Sequence, residues 1–431
     1  MKNCVLIIGF GKSGKWAYNL ALKLGYMPLI FDDGFSDLKN CWIYYNSIDF
    51  AVVSPGVPPT HKLIQKLNEK NVSIISEIEF CYLARENKHP IIGITGTNGK
   101  TTVTEMISGV LAGEVTTCGN IGKPWSEVLV KQENSKYTLL ELSSFQLNNI
   151  NLFHPKIAVL TNFAPDHIDY HGSFENYIDA KMKLTKNMDV DDFVIYNGED
   201  GEVKKRVILL RRPRVLYFSE ERLSGEGIYF EKNNVVLSYA GESNVLFSLP
   251  ENSHFEKHTR LNILASSLVC SLLGVDGTKI RESLLKFKPS MFRQTEVKND
   301  LGIRIINDSK ATNLSAVLMA VSEHKSDVLL VGGKGKNESY LSLFSKPTFH
   351  DIVVYGEMGE EVVGCAKICG FQNIVYYKKF DDAVKVAVKL TKVGETLLFS
   401  PAGSSFDQFT SYQERGERFN FLIRDIEREN S

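Results

Sequence analysis

The feature that most constrains this chain is the run Gly93-Ile94-Thr95-Gly96-Thr97-Asn98-Gly99-Lys100-Thr101-Thr102. It lies between an apolar, strand-like segment, Ile91–Ile94, and a helix-like one, Thr101–Leu111. Glycines at a strand-to-helix turn let backbone N–H groups point inward around phosphate oxygens, and the helix N-terminus adds positive potential. Lys100 is spaced to reach the β/γ-phosphates of a nucleotide, and the hydroxyl of Thr101 or Thr102 to ligate Mg²⁺. The Gly93–Gly99 spacing is one residue longer than the usual GxxxxGK form. Lys-Thr-Thr at a helix start has no packing rationale, which argues against a purely structural glycine turn. A chain with this loop must build a β–loop–α unit and hence a layered sheet with crossover helices.

The rest of the sequence repeats that unit. Cys4–Ile8, Pro28–Phe31, Phe50–Val53 and Val72–Ile75 read as strands in a first part, and Lys15–Leu24 as a helix. The N-terminal apolar run is too short for a signal peptide and leads straight into glycines. A second part starts near His89-Pro90, where Tyr137–Leu142 and Lys156–Leu160 continue the sheet. Short alternating segments between about 205 and 250 suggest a small antiparallel insertion. Leu261–Leu273 and Thr278–Phe287 read as helices. A third part starts near Ser290, with strands at Ile303–Ile306, Val328–Val331, Asp351–Tyr355, Ile374–Tyr377 and Thr396–Phe399. A length of 431 residues fits about three domains. The expected division is 1–88, 89–289 and 290–431: a Rossmann-like N-terminal domain, a central P-loop ATPase-like parallel sheet with the antiparallel insertion, and a Rossmann-like C-terminal domain. The fold class is α/β.

Fifty basic and 51 acidic residues leave a net charge of −1, so the chain as a whole carries no electrostatic footprint for nucleic acid or an anionic membrane. No apolar run approaches the roughly 20 residues that span a bilayer. The seven cysteines (4, 41, 81, 118, 270, 365 and 369) are scattered without a CxxC pair and read as reduced cytosolic thiols. A cytoplasmic, non-inserted protein is expected.

The wording Gly96-Thr-Asn-Gly-Lys-Thr-Thr102 resembles the ATP loop of the Mur ligases and folylpolyglutamate synthetases. Three further stretches match, so the resemblance spans nearly the whole chain. Glu141, at the end of the strand Tyr137–Leu140, is similar to the family's Mg²⁺-ligating glutamate, and a carboxylate at a strand's C-terminal end beside a phosphate loop is well placed for that. Asn162-Phe-Ala-Pro-Asp166-His167-Ile-Asp169 matches the motif whose histidine ligates a second Mg²⁺. Lys181, on a helix-like segment, matches a lysine the family carbamylates. An unmodified ammonium about 4 Å from Mg²⁺ is repelled by roughly 8 kcal/mol at an effective dielectric of 20, whereas a carbamate supplies oxygen ligands. The resemblance therefore implies ATP, two Mg²⁺ ions, metal ligands Thr101, Glu141, His167 and carbamylated Lys181, and catalytic roles for Lys100, His167, Lys181 and Lys310.

Asp308-Ser309-Lys310-Ala311-Thr312-Asn313 resembles the D-glutamate-adding branch of the family, with Lys310 facing a carboxylate of the incoming amino acid. Ser400–Phe409, with Tyr412 and Arg415-Gly416, matches the same branch's C-terminal signature and implies D-glutamate contacts from Ser405, Phe406 and Tyr412. Gly332-Gly333-Lys334-Gly335-Lys336 resembles a Gly-Gly-Asp-Gly-Lys loop, with Lys336 on the transferring phosphate and Lys334 standing where an Asp is usual. Arg293 and Asn262 match ATP contacts, although Thr259 replaces a usual Asn. For UDP-N-acetylmuramoyl-L-alanine the resemblance implies contacts from Gly11, Lys12, Ser13, Asp32, Ser54, Gly56 and Asn120. The implied reaction joins D-glutamate to the alanyl carboxylate through an acyl phosphate, and a monomer is expected. A folylpolyglutamate-type or other Mur-type ligase, a nucleotide-switched ATPase and a dehydrogenase built on Gly9–Gly14 are the alternatives. The dehydrogenase gives Lys100 no role.

Overall fold

The computed structural model describes residues 3–34, 48–86, 88–251, 255–288, 291–336 and 339–430. Met1, Lys2, Cys41 and the expected boundary at Pro289-Ser290 lie outside the described residues. The chain forms two compact units, Met1–Phe163 with Gly172–Phe287, and Ala164–His171 with Lys288–Ser431.

The first unit holds two sheets. The smaller is wholly parallel, in the order Met27–Phe31, Cys4–Ile8, Ile48–Val53, Ser73–Ser76. The larger has nine strands, in the order Glu242–Ser248, Asn234–Tyr239, Gly227–Glu231, Arg214–Ser219, Phe193–Asn197, Ile157–Leu160, Ile91–Thr95, Tyr137–Glu141, Val115–Gly119. Cys4–Ile8 and Ile91–Thr95 are buried along their whole length, as a parallel strand covered on both faces must be. One apolar core joins the two sheets: Val5 and Ile7 of the smaller share it with Leu140 and Leu160 of the larger, and Phe80 of the helix Glu77–Ala84 and Trp125 of the helix Trp125–Lys131 pack between them. The Glu79 carboxylate reinforces the junction by accepting the backbone N–H groups of Asn151, Leu152 and Phe153 at 2.9, 2.7 and 3.0 Å.

The segment between 205 and 250 is integrated more closely than an insertion. Arg214–Ser219 runs parallel to Phe193–Asn197, and Gly227–Glu231 parallel to Arg214–Ser219. Antiparallel pairing is confined to the two outermost strands, of which Asn234–Tyr239 alone runs against the rest, so the antiparallel part is the far edge of the main sheet. Helices Lys257–Leu272 and Gly277–Lys286 cover this sheet's second face, with Ile263, Leu264, Leu268 and Ile280 in the core.

The second unit has six strands, in the order Thr295–Glu296, Arg304–Asn307, Thr396–Ala402, Val328–Gly332, Asp351–Tyr355, Ile374–Tyr377, of which the first alone is antiparallel. Apolar cores lie on both its faces. The strand order breaks chain order where Thr396–Ala402 enters between Arg304–Asn307 and Val328–Gly332. In open α/β sheets the crevice beyond the carboxyl ends at such a point is the usual place for a ligand.

Candidate active site

In the first unit the loop Gly96–Lys100 follows the strand Ile91–Thr95 and opens the helix Lys100–Val110. Gly96 (φ +147°) and Gly99 (φ +84°) hold backbone conformations that side chains rarely adopt. A Cβ on Gly96 would lie 1.8 Å from Thr161 Oγ1, and one on Gly99 2.9 Å from Asn262 Oδ1. The loop is pinned from the neighbouring strand end: Thr97 N donates to Asn162 O at 2.8 Å, Asn98 N to Asn162 Oδ1 at 2.9 Å, and Thr161 Oγ1 to Asn98 O at 2.6 Å. Thr97 Oγ1 lies 3.0 Å from Tyr177 OH. Lys100 Nζ donates to Gly96 O and Thr97 O at 2.8 and 2.7 Å, which folds its cation over the loop. Thr101 and Thr102 are buried in the helix's first turn, and Asn262 is buried where the loop meets the helix Lys257–Leu272.

Glu141 pairs in register with Ile94 on the adjacent strand, at the same end of the sheet as the loop. It is 1% exposed. Asn120 Nδ2 donates to its Oε1 at 2.7 Å, and its Oε2 has no hydrogen-bond partner among the described residues. A buried carboxylate oxygen left unpaired is costly unless a ligand completes it, and Mg²⁺ prefers such oxygens. Lys181 lies in the helix Phe174–Met182, 2% exposed. Its Nζ donates to Gly96 O at 2.8 Å and sits 4.5 Å from the Tyr177 ring centroid. Among the described residues no group of three or more His, Cys, Asp or Glu side chains is arranged to hold a metal.

At the small sheet, Asp32 follows the strand Met27–Phe31 and accepts from Phe10 N at 2.6 Å and Gly34 N at 3.0 Å. Those backbone donors hold its carboxyl below the usual aspartate range. Ser54 Oγ donates to Gly9 O at 2.8 Å, and Lys12 Nζ to Gly122 O at 2.5 Å. A Cβ at Gly14 would lie 1.9 Å from Gly9 O, so close packing of helix on turn requires that glycine. Gly11, Lys12, Gly56 and Asn120 are exposed and Ser13 half-buried.

The second unit gathers a different set. Asp166 is buried and accepts from Lys336 Nζ at 2.8 Å and Asn313 Nδ2 at 3.1 Å, with His167 Nε2 3.6 Å from the oxygen that Lys336 holds. His167 itself is left-handed (φ +54°). Lys310 Nζ stands 5.4 Å from the centroid of the Tyr412 ring. Asp308 is fixed by Ser400 Oγ, donating at 2.9 Å, and Gln294 N, donating at 3.3 Å. Arg293 Nε is buried with no hydrogen-bond partner among the described residues, a donor suited to an anion. Ser405 is buried, whereas Phe406 is 70% exposed.

Arg415 organises this unit although it looks like part of a solvated helical charge run. It is fully buried. Nε donates to Ser309 Oγ at 3.1 Å, Nη2 to Ser309 O at 2.8 Å, and Nη1 to Gly403 O at 3.1 Å and Tyr355 OH at 3.3 Å. One guanidinium thus ties the Asp308–Lys310 turn to the Gly403–Ser405 turn. The sequence signal was its place in the signature stretch, since nothing in its neighbours predicts burial. Thr161, Tyr177 and Asp166, all outside the predicted site set, are the other residues the geometry adds; Asp166 belongs to the Asn162–Asp169 motif and Thr161 directly precedes it.

The middle of the chain, residues 94–270, matches the family model for the Mur ligase middle domain. Over 98% of this chain and 99% of the relative, the sequence is 34% identical to a UDP-N-acetylmuramoylalanine–D-glutamate ligase of Christiangramia forsetii. A ligase of the same name from Clostridioides difficile is 31% identical, covering 98% of each chain. Among solved structures, a MurF ligase of Thermotoga maritima in complex with ADP aligns at a TM-score of 0.61 and 16% identity, covering 93% of this chain and 94% of that one. The UDP-N-acetylmuramate–alanine ligase MurC of Thermotoga maritima aligns at 0.57 and 18% identity, covering 99% and 100%. At that identity the structures establish the shared fold, and the sequence relatives establish the family: this chain belongs to the Mur ligases.

Proposed function

We propose that this chain joins D-glutamate to UDP-N-acetylmuramoyl-L-alanine with consumption of ATP, the reaction for which its full-length relatives are named. The observation that carries the reading is the phosphate loop with Glu141 beside it: a nucleotide cradle next to a buried carboxylate oxygen with no partner among the described residues. The loop N–H groups, Lys100 and the start of the helix Lys100–Val110 hold the ATP phosphates, with Asn262, Arg293 and Lys336 as further nucleotide contacts. Glu141, Thr101, His167 and a carbamylated Lys181 would hold two Mg²⁺ ions, which, when bound, supply charge neutralisation at the phosphates. A carbamate nitrogen keeps one N–H for Gly96 O, so modification preserves the bond now seen at Lys181 and removes a buried ammonium.

The alanyl carboxylate oxygen attacks the γ-phosphorus, the bond to ADP breaks, and an acyl phosphate forms. The D-glutamate amine, as a free base, attacks the acyl carbon. Phosphate leaves, the amine loses a proton, and the amide remains. Lys310, Ser405 and the residues at Phe406 and Tyr412 hold the amino acid, and Lys100 stabilises charge that grows on the transferring phosphate. Gly11, Lys12, Ser13, Asp32, Ser54, Gly56 and Asn120 bind the nucleotide sugar, and Asp32 does so while closing the Phe10–Gly34 turns. The thiols Cys81, Cys118, Cys270, Cys365 and Cys369 form no disulfide among the described residues, which suits a reducing compartment. We assign the protein to the cytoplasm, as a monomer, with functional domains at 1–88, 89–289 and 290–431.

Phosphate release from ATP, measured with UDP-N-acetylmuramoyl-L-alanine and D-glutamate and with each omitted, tests the proposal. Release that needs both substrates supports it. Release that ignores both omissions identifies a simple ATPase instead.

A further inference from the structure

The near-zero net charge hides a local extreme. Residues 204–214 read Lys-Lys-Arg-Val-Ile-Leu-Leu-Arg-Arg-Pro-Arg, with six cations and no acid. They run from the last turn of the helix Gly201–Val207 through a loop to the strand Arg214–Ser219. Lys205 and Arg206 are neutralised by Glu202 and Glu175, and Arg214 reaches Tyr239 OH at 3.1 Å. The exposed side chains of Lys204, Arg211 and Arg212 make no ion pair or hydrogen bond with another described residue. Between these cations Ile208 and Leu209 are each 65% exposed, and Val190, before the neighbouring strand, is 59% exposed. Asp189, Asp191 and Asp192 precede the strand Phe193–Asn197, which pairs with Arg214–Ser219, and Asp192 is held by His154 and Lys156.

Exposed aliphatic side chains among unpaired cations form a mixed surface that water solvates poorly at its centre. From this pattern we infer that the loop Ile208–Pro213 docks the protein on an anionic lipid surface, its aliphatic tip entering the interface and its cations meeting lipid phosphates. The tip is aliphatic, offering no ring on which a nucleic acid base would stack. The strands Ile91–Thr95, Ile157–Leu160, Phe193–Asn197 and Arg214–Ser219 run parallel. The loop before Arg214 therefore lies at the edge of the sheet opposite the phosphate loop after Thr95, and docking leaves the nucleotide end open. This peripheral contact needs no spanning segment, and no helix among the described residues is long and apolar enough to cross a membrane.

The test is co-sedimentation of the full chain with vesicles of phosphatidylcholine and phosphatidylglycerol in equal parts, against phosphatidylcholine alone, at low and high salt. Binding to the anionic vesicles alone, weakening with salt, is expected. Arg211→Gln with Arg212→Gln should weaken it about 25-fold, at roughly fivefold per cation. Ile208→Ser with Leu209→Ser should weaken it while leaving the salt dependence in place. Both variants lie on exposed positions and should keep the wild-type melting temperature and ATP-dependent activity. Absence of anionic-vesicle binding by the wild type overturns the inference, as does binding that both variants leave unchanged. Retention on immobilised polyglutamate without vesicle binding also overturns it, in favour of an acidic protein partner.

Discussion

At Gly96 and Glu141, local physics and proposed chemistry coincide. Gly96 faces Thr161 Oγ1 across a distance that leaves no room for a methyl group, so Gly96→Ala must either shift the loop or displace Thr161. We expect loss of nucleotide-dependent thermal stabilisation with this variant. Gly25 is the control: it also has positive φ, but its Cβ position is open, so Gly25→Ala should cost only about 1 kcal/mol and leave nucleotide binding intact. Differential scanning fluorimetry with and without ATP separates the two. Glu141→Gln keeps the shape and the acceptor for Asn120 but removes the charge. The Mg²⁺ concentration giving half-maximal activity should rise on the order of tenfold, with little change in melting temperature; an unchanged Mg²⁺ dependence would remove Glu141 from the metal set. For Lys181, ¹³C-bicarbonate should produce a carbamate resonance in the wild type that Lys181→Met lacks.

Among the elements, those that form locally were legible and those that depend on distant pairing were not. The loop–helix Gly96–Val110 and the buried strands Cys4–Ile8 and Ile91–Thr95 announce themselves through glycine placement and continuous apolar runs. The strand Val115–Gly119 is mostly half-buried and carries two threonines, a cysteine and a glycine, so no apolar run marks it. The direction of Arg214–Ser219 is set by its partner Phe193–Asn197, a fact alternation of side chains does not contain. Arg415 belongs to a signature stretch, but the surrounding Gln-Glu-Arg-Gly-Glu-Arg reads as a solvated helix face, and only the meeting of three strand ends gives its guanidinium four acceptors. Removing it should be expensive: Arg415→Met leaves buried polar groups without partners, for a loss of about 3–5 kcal/mol. Arg415→Lys keeps the charge but not the fork of donors. We expect the lysine variant to fold with a lower melting temperature and a raised KM for D-glutamate, while KM for ATP changes little. Equal changes in both would assign Arg415 to general stability alone.

For the whole molecule, the consequential feature is a carboxyl group buried where the first unit's two sheets meet. Glu77 begins the helix Glu77–Ala84 beside the small sheet and accepts from Ser126 N, in the helix Trp125–Lys131 of the large one, at 2.6 Å. It is 2% exposed, and its Oε2 has no hydrogen-bond partner among the described residues. Burial pushes its pKa above the ordinary 4.5, against the opposing pull of the Ser126 and Cys81 hydrogen bonds. Between 4.5 and the raised folded value, the folded protein keeps a proton that the unfolded chain has already lost. The unfolded state then binds fewer protons, so stability falls as pH rises through this window, by at most about 1.4 kcal/mol per pH unit. Desolvation also raises Asp200, and its contribution has the same sign. Asp32 is lowered, so its stabilisation is complete above the usual aspartate value and is lost only at lower pH, outside this window. Glu77→Gln keeps an acceptor for Ser126 N and removes the ionisation. Its melting temperature relative to wild type should climb as pH increases above 4.5, then level off once Glu77 is ionised in the folded wild type. Parallel melting curves for the two proteins across this range would mean that Glu77 titrates as it does in the unfolded chain.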